Sequence, residues 1–130
     1  MRLITLSDYL MGRDASYRAD YTEEIAANAV ATVGRINRFL QRSGFDGHVN
    51  SGWRPPALNA ATRGAARRSK HLLALACDLH DADGRIDQYC IDHGELLEEL
   101  GLWQESPGTT PGWCHLQIVA PASGHRVFLP

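Results

Sequence analysis

Residues 72–79 read LLALACDL, a continuous apolar run of strand length with one acidic side chain, Asp78, near its end. A buried carboxylate has to be paired, hydrogen-bonded or bound to a metal ion. His71 directly precedes this run, and His115 lies in a second strand-like segment, CHLQIVA (114–120), in which apolar and polar residues alternate. Two imidazoles and a carboxylate form a ligand set of catalytic zinc sites that keep a fourth position open for water. The chain has six histidines, so this spacing alone is a modest signal for a metal site.

Helical periodicity on both sides of residues 72–79 predicts an α+β fold. Residues 23–42 place apolar side chains at spacings of three and four, with Thr22 as the helix cap. Residues 85–101 predict a second helix, which Gly94 weakens. Further short strands are expected in VNSGW (49–53), at the start of LWQESPGTTPGW (102–113) and in GHRVFLP (124–130). We therefore expect a small antiparallel sheet flanked by helices.

The chain of 130 residues has the size of one domain, and we treat residues 1–130 as a single unit. Its 44% hydrophobic and 22% charged residues are typical of a globular protein with a packed core. A formal charge of −2 gives no electrostatic case for a nucleic-acid partner. No segment has the pattern of a membrane span or of a secretory signal. We expect a monomer that is cytoplasmic as synthesised, with its three cysteines reduced.

Three blocks of the sequence carry a family pattern: SGWRPPALN (51–59), SKHLLALACD (69–78) and WCHLQI (113–118). They resemble the zinc D-alanyl-D-alanine carboxypeptidase family, in its small phage-type branch. Its pattern is Ser-Gly-aromatic-Arg, then a Ser-x-His stretch leading to an Asp, then an aromatic-x-His on a later strand. Members trim peptidoglycan stems or cut between L-Ala and D-Glu. The resemblance implies the fold that this family shares with the hedgehog signalling domain and the lysostaphin-type endopeptidases.

The resemblance implies roles for five residues. His71, Asp78 and His115 match the ligands of one zinc ion, which polarises a scissile carbonyl and activates water. Arg54 matches the arginine that holds a substrate carboxylate or the carbonyl under attack, a task suited to a planar and permanently charged guanidinium. Ser69 matches a serine that shapes the substrate pocket. An equally good alternative is that the Ser69 hydroxyl caps a local turn.

The proton-transferring carboxylate is the point at which this sequence departs from the family. Many members place a Glu three residues before the last histidine, and that position is Gly112 here. In the small branch the Glu comes from an earlier strand, which makes Glu105 the candidate catalytic base. A slip of one residue would turn Gln104 toward the metal instead, and the chain would then lack a base. Both alternatives stay open at this stage.

Two cysteines, Cys77 and Cys114, each precede a proposed ligand. Because neighbouring side chains on a strand point to opposite faces, both thiols should lie in the core if Asp78 and His115 face a metal. His80 shares a strand face with Asp78 and is a candidate substrate contact or support for the ligands. The remaining histidines are expected at the surface: His48, His93 and His125.

The expected function is that of a zinc-dependent peptidoglycan peptidase acting on stem peptides, as a D,D-carboxypeptidase or as an endolysin-type endopeptidase. The alternative is a non-catalytic, zinc-containing relative that acts as a binding module, which the missing Glu-x-x-His arrangement favours. A wall substrate and cytoplasmic synthesis are compatible if the protein reaches the wall on lysis, as the lysis enzymes of phages do.

Overall fold

A five-stranded sheet is the centre of the fold in the computed structural model, which describes all residues from 1 to 130. Its strands are Val49–Ser51 (β1), Ala76–His80 (β2), Trp103–Glu105 (β3), Trp113–Gln117 (β4) and Val127–Phe128 (β5). They lie in the order β1-β2-β4-β3-β5, and only the β3–β5 pair is parallel. The predicted α+β class is confirmed. The prediction of an antiparallel sheet is wrong for β5, because the chain returns to the free edge of β3 and then runs in the same direction.

Six α-helices accompany the sheet: Leu6–Leu10 (α1), Arg13–Ser16 (α2), Glu23–Ser43 (α3), Pro56–Ala61 (α4), Arg85–Asp92 (α5) and Gly94–Leu100 (α6). The long helix α3 contacts α1, α6 and β2, while α5 contacts β4. One face of the sheet is therefore buried beneath helices. It contributes four fully buried side chains to the core: Cys77, Leu79, Cys114 and Leu116. No helix has the length and apolar character that crossing a membrane would require.

Helix α3 follows the predicted periodicity closely. The Thr22 side chain accepts a hydrogen bond from the backbone N–H of Ile25 and so caps the first turn. Gly44 ends the helix in the left-handed conformation, with φ of 80°. Residues of its inner face, Ile36 and Phe39 among them, are fully buried. The helix thus supplies the apolar layer on which β2 rests.

Two predicted elements are divided in the structure. The run at 72–79 begins as a 3-10 turn, Lys70–Leu73, and only its second half is strand. Ala74 separates the two parts in the left-handed conformation, with φ of 57°, and its carbonyl accepts the Thr32 hydroxyl of α3. The predicted helix at 85–101 is interrupted at His93, whose φ of −127° is not helical. The break immediately precedes Gly94, the residue that weakened the prediction.

Candidate metal centre

Three separate segments bring His71, Asp78 and His115 together on the sheet face opposite the helices. His71 lies in the 3-10 turn before β2, Asp78 lies on β2, and His115 lies on β4. Asp78 and His115 are direct cross-strand partners, so the register of the β2–β4 pair fixes their approach. One ligand atom from each of the three residues lies within 4.8 Å of the others. The three residues that the sequence singled out as ligands therefore form one cluster that could hold a metal ion.

The hydrogen bond to Gly52 fixes the proton of His71. Nδ1 of His71 lies 2.7 Å from the carbonyl oxygen of Gly52, which can only accept, so Nδ1 carries the hydrogen. Nε2 is then left with a lone pair. It is buried, has no hydrogen-bond partner and lies 3.2 Å from Oδ2 of Asp78. A buried imidazole nitrogen that lacks a hydrogen-bond partner and faces a carboxylate is placed as a metal ligand would be.

The hydrogen bond to Gln117 fixes the proton of His115 in the same way. The Gln117 amide donates through Nε2 to the carbonyl of Val119, which turns its oxygen toward His115. Nε2 of His115 donates to that oxygen across 2.9 Å. Nδ1 of the neutral ring is therefore a lone pair, and it lies 2.9 Å from Oδ1 of Asp78. Such an outer hydrogen bond is a regular companion of metal-ligating histidines.

When both imidazole rings are neutral, their two lone pairs and the Asp78 carboxylate converge with no hydrogen between them. Acceptors so close repel one another unless a positive charge lies among them, either a metal ion or a proton taken up by one of the rings. Burial alone would raise the pKa of Asp78, but its contacts with His115 and His71 hold it well below the usual range. Burial lowers the pKa of His71, which favours the neutral, coordinating form of its ring. Burial would also lower the pKa of His115, yet the Asp78 carboxylate raises it, so this ring binds a proton more readily when no metal ion lies beside Asp78. Three buried or nearly buried donors with one side open fit a metal ion.

The cluster lies at the floor of a cleft of about 590 Å³. Arg54 and Glu105 line this cleft together with the three candidate ligands, and Trp113 forms part of its wall. A cavity of this size matches the range of small-ligand sites, roughly 300–1,000 Å³. The three candidate ligands are therefore accessible to a small ligand through this cleft.

Strand β3, which lies between β4 and β5, decides between the two candidates for a base. Gln104 pairs with Leu116, which faces the core, and its amide donates to the carboxylate of Asp87 at 2.8 Å. Gln104 is fully buried on that side. Glu105 consequently points to the opposite face and lines the cleft. The hydroxyl of Thr109 lies 2.9 Å from Oε2 of Glu105, which leaves Oε1 without a partner in the chain.

Arg54 and Ser69 are tied to the same turn as His71. The backbone N–H of Arg54 donates to the carbonyl of His71 at 3.0 Å. The Ser69 hydroxyl accepts from the backbone N–H of His71, as a turn cap would, and also from Nη2 of Arg54 at 3.3 Å. Nε of Arg54 is buried without a partner. The guanidinium is thus held at the cleft wall with hydrogen-bonding capacity to spare, while the substrate-binding role of Ser69 stays a prediction.

The remaining sequence-based expectations concern residues around the cluster. The Cys77 and Cys114 thiols are fully buried on the helix-covered face, as predicted, and they do not take part in the cluster. His80 follows Asp78 on β2 but is exposed and does not line the cleft. The three histidines assigned to the surface are indeed exposed: His48, His93 and His125.

The sequence did not predict the roles of four residues around the site: Gln117, Thr109, Gly52 and Arg13. Gln117 and Thr109 orient His115 and Glu105, and neither has a signal in the sequence beyond its polar type. Gly52 offers its carbonyl to His71, and a Cβ at this position would lie 2.0 Å from the carbonyl oxygen of Tyr9. Arg13 reaches the cleft from α2, far away in the chain. Only the backbone path of the folded chain brings these residues to the metal cluster.

Comparison of the chain with protein-family models, curated proteins and solved structures finds no match in any of the three. Two observations therefore point to a function: the geometry of the cleft and the resemblance of the three sequence blocks. The geometry can be tested independently of the resemblance.

Proposed function

We propose that this chain is a zinc-dependent peptidase that hydrolyses amide bonds of peptidoglycan stem peptides. The observation that carries the proposal is the convergence of two imidazole lone pairs and the Asp78 carboxylate at the floor of a cleft that also holds Glu105 and Arg54. His71, Asp78 and His115 would hold the zinc ion, since imidazole and carboxylate donors suit it. When bound, zinc supplies Lewis-acid polarisation of the scissile carbonyl and activation of water.

Glu105 is the proposed general base. The Thr109 hydroxyl lies 2.9 Å from Oε2 of Glu105 and shares its one hydrogen between this oxygen and the carbonyl of Ser106, at 2.7 Å. Oε1 of Glu105 is free to take a proton from the attacking water. The same oxygen can then pass this proton to the amine that leaves. General acid–base catalysis of this kind contributes typically about 10²–10⁴-fold to the rate.

Arg54 is the proposed substrate anchor. Burial lowers the pKa of its guanidinium, an effect that the charges of Asp78 and Glu105 oppose, and the side chain remains a cation at neutral pH. Its orphaned Nε and its Nη groups can donate to a carboxylate or to the carbonyl under attack. Arg54 would in this way orient the amide between the metal cluster and Glu105.

The position of Glu105 supports a catalytic chain over a non-catalytic binding relative. The missing Glu-x-x-His arrangement, with Gly112 in place of the Glu, was the main argument for a chain without a base. Glu105 lies on β3 and lines the same cleft, so it supplies the carboxylate that is missing at position 112. The peptidoglycan substrate is drawn from the resemblance, and the cleft geometry supports a peptidase in general.

The test is hydrolysis of isolated sacculi by zinc-loaded protein, followed by mass spectrometry of the muropeptides. Loss of a single alanine would identify a carboxypeptidase, and a cut within the stem an endopeptidase. Glu105→Gln should lower kcat by about 10²–10⁴-fold while one zinc ion per chain is retained. The matched control is Glu98→Gln, which removes the same charge from an exposed position outside the cleft.

Two results would contradict the proposal. Sacculi and muropeptides left intact by fully zinc-loaded protein would show that the chain does not hydrolyse peptidoglycan stem peptides. Activity that survives Glu105→Gln unchanged would remove Glu105 from the role of base.

A further inference from the structure

A second arginine, Arg13, lines the cleft and lies outside the three sequence blocks that carry the family resemblance. Arg13 is the first residue of α2 and is half-buried. Its Nη1 donates to the carbonyl oxygen of Trp53 at 2.8 Å, which anchors the guanidinium beside the peptide unit that leads into Arg54. Both arginines line the same cleft as the metal cluster. Their proximity is therefore built into the backbone and does not depend on a chance rotamer.

Neither guanidinium has an acidic partner. No carboxylate of the chain lies within ion-pair distance of Arg13 or Arg54, although the protein forms such pairs elsewhere, as between Arg42 and Glu99. Burial lowers the pKa of Arg13, and the neighbouring charge of Arg54 lowers it further. Two half-buried cations side by side raise the free energy of the empty cleft, and an anionic ligand would offset this cost.

We infer that Arg13 is a second carboxylate anchor, so that the cleft selects peptides carrying one carboxylate for Arg54 and another for Arg13. The inference rests on the proposed peptidase function and adds to it the class of substrate, an acidic peptide with two separated negative charges. Arg13 is a specificity-determining residue in this scheme. It binds the substrate at a distance from the amide that is cut.

The charges of the cleft favour two separated carboxylates over one compact dianion. Asp78 and Glu105 lie in the same cleft as the two arginines, so a phosphate-like group would meet negative charge on one side. A peptide can place its carboxylates apart and its neutral backbone between them. The flat fork of a guanidinium also matches the two oxygens of a carboxylate.

The test is calorimetric binding of two peptides to metal-free protein, which separates recognition from catalysis. The peptides are acetyl-L-Ala-D-Glu-D-Ala and its D-Gln counterpart, which differ by a single side-chain carboxylate. Wild-type protein should bind the D-Glu peptide about tenfold more tightly, at the low end of the range for hydrogen bonds to charged groups. Arg13→Gln should bring the ratio close to one. Arg18→Gln, an exposed position after α2, removes the same charge and should leave the ratio unchanged.

Arg13→Lys is the second variant, because Arg13→Gln also removes the hydrogen bond to Trp53. Lysine keeps the positive charge but lacks the planar guanidinium, so the ratio of D-Glu to D-Gln peptide affinity should fall below the wild-type value and stay above one. A ratio that Arg13→Gln leaves at the wild-type value would overturn the inference. Tighter Arg13-dependent binding of inorganic phosphate than of the D-Glu peptide would overturn it as well.

The two proposals fail separately. Arg13-dependent discrimination without hydrolysis of sacculi would support the second anchor and contradict the peptidase. Hydrolysis without discrimination between the peptides would support the peptidase and contradict the second anchor.

Discussion

Asp78 and Asp81 are neighbours in the chain, and both carboxylates are largely shielded from solvent, but their surroundings are opposite. Asp81 is 4% exposed, and its two oxygens accept the backbone N–H groups of Ile86 and Asp87, each at 2.9 Å. Asp81 therefore caps the first turn of α5, and each of its oxygens has a hydrogen-bond donor within the chain. Asp78 faces two imidazole nitrogens whose hydrogens are committed elsewhere, to Gly52 and Gln117.

The partners that the chain gives each carboxylate distinguish a structural carboxylate, Asp81, from a candidate metal ligand, Asp78. A structural carboxylate is surrounded by donors of its own chain, which repay the cost of burial. Around Asp78 the chain supplies further acceptors, so the positive charge has to come from outside. Burial alone does not distinguish the two sites, since both are enclosed. The two sites are distinguished by their neighbours, which present hydrogens to Asp81 and lone pairs to Asp78.

Asp78→Asn should have the largest effect, because it removes the charge on which the two imidazoles converge. We expect stoichiometric zinc to be lost after dialysis, measured by elemental analysis of the purified protein. His80→Ala, on the same strand face, is the control and should retain zinc. A variant that still holds one zinc ion per chain would show that Asp78 is not a ligand.

Asp81→Ala should produce the reverse pattern. Two buried N–H groups lose their acceptor, and the free energy of unfolding should fall by about 2–3 kcal/mol. Urea denaturation measures this loss, and zinc titration should give wild-type affinity. Asp83→Ala, an exposed position in the same turn, should change stability by less than about 0.5 kcal/mol. Weakened zinc binding at full stability in Asp81→Ala would erase the distinction between the two carboxylates.

Gln117→Leu should weaken zinc binding less than Asp78→Asn does. It removes the acceptor that fixes the proton on Nε2 of His115, so zinc affinity should fall by about 10–100-fold, measured by competition with a chelating dye. Gln117→Glu keeps an acceptor at this position and should stay closer to the wild-type affinity. Equal losses in the two variants would mean that Gln117 acts through packing and not through the tautomer.

Much of the fold could be predicted because local patterns determine it, whereas the three candidate ligands were predicted from the acid in its apolar run together with the family resemblance. The periodicity of α3 and its Thr22 cap are readable in the sequence, and the isolated acid in LLALACDL identified Asp78 as anomalous. The alternation of side chains on β2 and β4 then assigned Cys77 and Cys114 to the core. These inferences need only the geometry of one helix or one strand.

The rest depends on contacts between distant segments. The parallel pairing of β5 follows from the path of the chain around β3, on which local periodicity has no bearing. Whether Gln104 or Glu105 faces the cleft depends on the register of β3 against β4, and a slip of one residue exchanges them. Arg13 reaches the cleft only because α2 lies beside Trp53 in the folded chain.

Gly52 gives the site a signature that its ligands alone do not provide. Its carbonyl holds the proton of His71 across a sequence separation of 19 residues, while the 2.0 Å approach of the Tyr9 oxygen leaves no room for a side chain. In a library of random substitutions, position 52 should therefore accept glycine alone, although it touches neither metal nor substrate. A glycine 19 residues before His71 is therefore as much a requirement of this cluster as the three candidate ligands themselves.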